Sequence, residues 1–134
     1  MNKPIIKFEN EEQAEKCLRE WQHRLFLDHW IINIELVDDI DGQENVLGQT
    51  DYVTVSFDAN IRIKKISDDE ISNKKCQEKI LVHELMHLII LQTDNYETIE
   101  ALHWNISQHQ IMEQMARSLV MAKYDLDIDF FCSK

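Results

Sequence analysis

The sequence predicts a single α+β domain, residues 1–134, with an N-terminal helix, a small and mostly antiparallel three-stranded sheet, and two later helices. Three observations predict it. An apolar stripe of helical period follows Asn10, three short segments near the middle alternate apolar and polar side chains, and the second half is rich in helix-forming residues. The chain has only two Gly and one Pro, which disfavours a sandwich of many short strands.

Composition and charge disfavour several classes of function. The chain carries 14 basic and 25 acidic residues, a net charge of −11, which disfavours binding to nucleic acid. The longest apolar runs, residues 88–91 and 119–122, are too short to span a membrane. Three cysteines, an odd number, indicate reduced thiols, and the first residues lack an apolar stretch of signal-peptide length. We therefore expect a cytoplasmic protein.

The first helix is predicted to begin after Asn10, a favourable N-cap residue with Gln13 three positions later. The residues that follow place one apolar stripe on the helix: Ala14, Cys17, Leu18, Trp21 and Leu25.

Strand periodicity is found in residues 30–37, 52–57 and 61–64, with an acidic loop over 38–48 between the first two. The third segment alternates isoleucine with Arg62 and Lys64. Because charged side chains prevent unwanted pairing at a sheet edge, this pattern predicts an edge strand.

A second helix is predicted to begin at Ser67, which forms a capping-box pattern with Glu70. It continues to about residue 92, with a break near Asn73 as an alternative. Residues 96–123 then predict a third helix, either one rod or two pieces hinged near 105–107, with Asp94 and Glu97 as its cap.

The sequence His83-Glu84-Leu85-Met86-His87 lies inside the apolar second helix. On a helix the two histidines lie ~40° apart around the axis and about 6 Å apart along it, so both can reach one ion. Glu84 lies ~60° from His87 and can take a proton from metal-bound water. Imidazole ligands favour Zn²⁺, and the same ligands leave Fe²⁺ and Mn²⁺ as alternatives. Three polar groups buried without an ion would be costly, so the motif predicts a metal site.

A hydrolytic zinc site needs a third protein ligand, and the third helix offers several candidates. Glu113 and His109 lie one turn apart, on or beside its apolar face. Glu97 and Glu100 lie in its first turns, where solvation or capping is the simpler explanation, and His103 is a further candidate.

The HExxH motif followed by a glutamate on a second helix resembles the gluzincin group of zincin metallopeptidases. More specifically, the chain resembles the small ImmA/IrrE-type metallopeptidases of phages and mobile elements, in which the glutamate ligand opens a Glu-x-x-Ala pattern. Glu113-Gln114-Met115-Ala116 fits that pattern. The resemblance implies a minimal zincin-like fold, Glu113 as third ligand with His109 as the alternative or as an outer contact, and the strand at 61–64 as the substrate-binding edge.

These observations together predict a zinc-dependent metallopeptidase that cleaves a narrow protein substrate, with Glu84 as the general base on zinc-bound water. Candidates to stabilise the oxyanion are Tyr52, Tyr96 and His103. The alternative is a zincin-fold binding module of a phage or mobile element that lacks proteolysis. A DNA-associated protease with His103 or His109 as third ligand is a further alternative, which the acidic charge disfavours.

Overall fold

The computed structural model describes residues 3–90 and 99–132, with the side chains of 99–105 outside that description. Within these ranges the chain is α+β, as predicted, with three α-helices and one three-stranded sheet. The elements are α1 (Glu11–Arg24), β1 (Ile31–Val37), β2 (Gly48–Val53), β3 (Asp58–Lys64), α2 (Gln77–Ile89) and α3 (Ile99–Tyr124). None of the described helices is both long enough and apolar enough to cross a bilayer.

The first helix forms as its sequence predicts. Asn10 caps α1, because its Oδ1 accepts a hydrogen bond of 2.8 Å from the backbone N–H of Gln13. The Gln13 side chain in turn accepts a hydrogen bond of 2.7 Å from the backbone N–H of Glu9. The predicted stripe, apart from the half-buried Leu25 just beyond the helix end, is buried: Ala14, Cys17, Leu18 and Trp21.

Removing this cap should weaken the fold modestly. We expect Asn10→Ala to lower the free energy of unfolding by about 1 kcal/mol, because the N–H of Gln13 loses its acceptor. Urea unfolding followed by circular dichroism measures the difference. Asn10→Asp, which keeps the acceptor, should stay close to wild type, and equal losses in both variants would contradict the capping role.

The sheet is mixed, so the prediction of a mostly antiparallel sheet is wrong. Its strand order is β1-β3-β2; β1 pairs parallel to β3, and β2 pairs antiparallel to β3. The direction of each strand follows from the connections. β1 and β2 run in opposite directions, and the hairpin between β2 and β3 reverses the chain once more. β3 therefore runs in the same direction as β1.

β3 is the central strand, which corrects the edge position predicted for residues 61–64. Ile61 and Ile63 are fully buried, while the alternate side chains face the opposite side of the sheet. There Arg62 forms an ion pair with Asp41 of the acidic loop, at 3.3 Å. The cationic side chain of Arg62 is thus explained by an acidic partner from another segment, which periodicity does not reveal.

The second strand begins and ends earlier than the predicted 52–57. Residues 54–57 form the hairpin turn, closed by a 3.3 Å hydrogen bond from the N–H of Phe57 to the carbonyl of Thr54, and Phe57 has a φ of 55°. Val55 in this turn is 92% exposed. The alternating apolar residues that predicted a strand here therefore do not point into the core.

α2 begins at Gln77, ten residues after the predicted start at Ser67. The capping-box residues form a short 3-10 turn, Asp68–Glu70, and a second one follows at Asn73–Lys75. The N-terminal segment of the chain fixes the true start. The N–H groups of Gln77 and Glu78 donate to the carbonyls of Ile6 and Ile5, which satisfies donors that a helix leaves free at its first turn.

Three helices and the N-terminal segment meet at one buried carboxylate. Glu78 is fully buried and accepts hydrogen bonds from the backbone N–H of Ile5, from Trp21 Nε1, from Lys123 Nζ and from the Tyr124 hydroxyl, at 2.7–2.9 Å. Burial alone would raise the pKa of Glu78. These donors outweigh it and hold the pKa below its usual value, so the carboxylate stays charged.

α2 is the most enclosed helix of the described chain. It packs against β2, β3, α1 and α3, and all of its residues except His83, His87 and Ile89 are buried. α3 is one continuous helix from Ile99 to Tyr124, which fits the single-rod alternative. The predicted cap at Asp94 and Glu97 lies outside the described residues.

Candidate metal centre

Two histidines of the HExxH motif lie on one face of α2. Their ring centroids are 5.5 Å apart, and their side chains are only 18% and 14% exposed for His83 and His87. Both line a cleft of about 680 Å³ between α2, α3 and β2. The helical spacing thus places the two imidazoles together, as the sequence predicts.

α3 adds a third imidazole to this pair. The ring of His109 lies 5.8 Å from that of His83 and 5.1 Å from that of His87, centroid to centroid. One ligand nitrogen from each of the three histidines lies within 4.8 Å of the others, close enough for the three to hold one metal ion. His109 is the most exposed of the three.

Glu113, predicted as the third ligand, contacts a histidine. Its Oε1 lies 3.0 Å from His83 Nδ1, and its Oε2 accepts from Lys79 Nζ at 2.8 Å and from Arg117 Nε at 2.9 Å. Burial raises the pKa of Glu113, but the hydrogen bonds, led by His83 and Lys79, hold it at about 2. The carboxylate is therefore ionised and accepts from all three donors.

This contact selects the tautomer of His83. Because an ionised carboxylate can only accept, His83 Nδ1 carries a hydrogen, and in the neutral ring Nε2 is therefore the nitrogen with the lone pair. A carboxylate that fixes a ring nitrogen in this way also orients the imidazole and makes its other nitrogen a better donor to a metal.

The other two histidines are held neutral. Burial lowers the pKa of His87 to about 4, with further lowering from His83 and His109. Burial and His83 also lower the pKa of His109. Neutral imidazole is the form that binds a metal, so the chemistry of this donor set fits a metal ion.

Glu84, the predicted general base, is buried beside this cluster. Its Oε1 accepts a 2.8 Å hydrogen bond from the hydroxyl of Thr50 on β2 and lies 3.8 Å from His87 Nε2. Burial raises the pKa of Glu84 to about 6, although the charge of His83 and the hydrogen bond from Thr50 act in the opposite direction. A carboxylate with this pKa can accept and release a proton near neutral pH.

Five of the other candidate site residues lie elsewhere or outside the description. Tyr52 packs its ring edge-on against Trp30, with centroids 6.5 Å apart. Tyr96 and Glu97 lie outside the described residues, and so do the side chains of Glu100 and His103. No oxyanion donor can be assigned among the described part of the predicted set.

The structure adds residues that the sequence analysis missed. Lys79 and Arg117 hold Glu113, and each lies one helical turn from a site residue, Lys79 before His83 and Arg117 after Glu113. This i, i+4 spacing is a signal that the sequence contains. Thr50 and Gly48 give no such signal, because they reach Glu84 only through the packing of β2 on α2.

When the chain is compared with models of protein families, with curated proteins and with solved structures, none of them matches it. The family resemblance therefore remains a prediction from the motif residues. What the structure adds is the arrangement of three histidines, Glu84 and Glu113 in one cleft.

Proposed function

We propose that the chain is a zinc-dependent metallopeptidase that hydrolyses peptide bonds of a narrow protein substrate. One observation carries the proposal: three imidazoles converge in an open cleft within reach of the buried carboxylate of Glu84. Two histidines of a helix with a glutamate between them, plus one further ligand, are the parts that a hydrolytic zinc site requires.

The donors we assign to the metal are His83, His87 and His109. Glu113 then acts through His83, because its carboxylate accepts the Nδ1 hydrogen and leaves Nε2 as the nitrogen that can bind the metal. A zinc ion bound by three protein ligands would polarise a substrate carbonyl and make water more acidic.

Glu84 is the residue we assign to proton transfer. It takes a proton from the attacking water and delivers it to the departing amine, so that one water is consumed for each peptide bond broken. Its pKa of about 6 supports both halves of this role near neutral pH.

The substrate segment is proposed to lie along β2. The earlier candidate, residues 61–64, is wrong because β3 pairs with strands on both sides. β2 lies at the edge of the described sheet, and Gly48, Gln49 and Thr50 line the cleft beside the histidines. An extended peptide could add to this edge through main-chain hydrogen bonds.

Zinc binding tests the ligand assignment. We expect His109→Ala to weaken zinc binding by more than about 100-fold, because a donor is lost, and Glu113→Gln to weaken it by about 10–100-fold, because only the partner of His83 changes. Competition with a chromophoric chelator at pH 7 measures both. His23→Ala, at an exposed histidine of α1, is the matched control.

The opposite order of effects would overturn this assignment. If Glu113→Gln lost the zinc and His109→Ala kept it, Glu113 would be the third ligand, as the family resemblance implies. A wild-type protein that binds no zinc would overturn the proposed function itself.

A further inference from the structure

We propose that Thr50 and Gly48 of β2 form a cradle that positions the carboxylate of Glu84 for proton transfer. This inference rests on the proposed function, since it assigns positioning residues to the same reaction. The strand itself contributes no proposed metal ligand or acid–base group.

Thr50 holds one side of the carboxylate. Its Oγ1 lies 2.8 Å from Glu84 Oε1 and 3.1 Å from the main-chain carbonyl oxygen of Glu84. The hydroxyl has one hydrogen to donate, and the shorter contact goes to the carboxylate, where a charge strengthens the bond. Because it contacts both the side chain and the main chain of Glu84, Thr50 restricts how the side chain can rotate.

Gly48 makes the close approach of the strand possible. A Cβ at this position would lie 3.1 Å from Glu84 Oε2, 3.1 Å from Glu84 Cγ and 2.9 Å from Ile80 Cγ2. Any larger residue would therefore displace the side chain of Ile80, the side chain of Glu84 or the strand itself. Glycine lets the backbone of β2 pack directly against the side chain of Glu84.

The two contacts constrain the carboxylate from both sides. The hydrogen bond from Thr50 to Oε1 and the close packing of Gly48 beside Oε2 together limit the rotation of the carboxylate. A proton acceptor that is already oriented loses less freedom on reaching the transition state. Because the substrate is proposed to lie along the same strand, β2 would contact both the base on α2 and the substrate.

Thr50→Val tests the cradle, since valine keeps the shape of threonine and removes only the hydroxyl. We expect kcat of the zinc-loaded protein to fall by about 10–100-fold on a mixture of fluorescence-quenched peptides, with KM nearly unchanged and zinc content unchanged. Thr50→Ser should restore most of the rate. Thr54→Val, an exposed threonine in the hairpin turn, is the matched control and should leave kcat unchanged.

A second measurement does not depend on activity. The carboxyl ¹³C chemical shift of Glu84, assigned by its loss in Glu84→Gln, should change in Thr50→Val and remain at the wild-type value in Thr50→Ser. An unchanged shift in Thr50→Val overturns the contact, whether or not hydrolysis is seen. Wild-type hydrolysis with an undiminished kcat in Thr50→Val overturns the positioning role alone, whereas a zinc-loaded wild type without hydrolysis overturns the proposed function.

Discussion

Glu84→Gln is expected to lower kcat for peptide hydrolysis by about 10²–10⁴-fold while leaving the zinc content unchanged. The amide is close in shape to the carboxylate and can still accept the hydrogen bond from Thr50, but it cannot take a proton from water. The residue lies 3.8 Å from His87 and is not one of the clustered imidazole donors, so zinc should remain bound. Peptide hydrolysis and metal analysis on the same preparations measure both effects.

The matched control for this substitution is Glu35→Gln, at an exposed glutamate of β1 on the opposite side of the sheet from the core. It should retain wild-type kcat. Equal hydrolysis by Glu84→Gln and wild type would contradict the role of Glu84. A wild-type protein that holds zinc and hydrolyses nothing would instead favour a binding module with the same fold.

Glu78→Ala is expected to lower the free energy of unfolding by about 3–5 kcal/mol, the usual cost of breaking a buried, hydrogen-bonded charge pair. The substitution removes the acceptor shared by Ile5, Trp21, Lys123 and Tyr124, and it leaves the ammonium of Lys123 with one carboxylate fewer, although Glu20 also pairs with it. Urea unfolding at pH 7 measures the loss. Glu35→Ala, at an exposed position, should cost far less.

Lowering the pH should remove the stabilisation that the charge of Glu78 provides. The pKa of Glu78 in the folded chain lies below its ordinary value of 4.5, so its charge stabilises the fold fully above about pH 4.5. That contribution is lost as the pH falls through the lower, folded-state pKa. The stability gap between wild type and Glu78→Gln should therefore narrow below pH 4.5, and a constant gap from pH 7 to pH 3 would contradict this account.

The elements whose causes are local could be predicted from the sequence. The cap at Asn10 and the apolar stripe that follows it depend on residues within α1, and α1 begins where these predict. The alternation in residues 30–37 likewise predicts the buried face of β1, with Ile32 and Ile34 in the core.

The features that depend on distant partners could not be predicted. The charged residues of β3 are typical of an edge strand in the sequence. Only the structure shows that Arg62 pairs with Asp41. The start of α2 depends on carbonyl groups some 70 residues earlier in the chain, at Ile5 and Ile6, so the local capping box at Ser67 pointed to the wrong position.

The candidate site, too, has features that local spacing predicts and features that depend on distant partners. The geometry of His83, Glu84 and His87 follows from helical spacing alone, and the structure places the three side chains as that spacing requires. The relation of His109 and Glu113 to them depends on how α3 docks on α2, for which the sequence of α3 offers two neighbouring candidates. The contact from Thr50 depends on a third element and was missed entirely.

The dependence of α2 on Ile5 and Ile6 also bears on the order in which the molecule forms. The bond from the Ile5 N–H to Glu78 Oε1 joins residues 73 positions apart, and closing so long a loop carries a large entropic cost. The free N–H groups in the first turn of α2 are therefore satisfied by residues that a short peptide around HExxH would not contain. An isolated fragment of α2 would contain His83, Glu84 and His87 but would lack the carbonyl groups that satisfy the first turn of the helix.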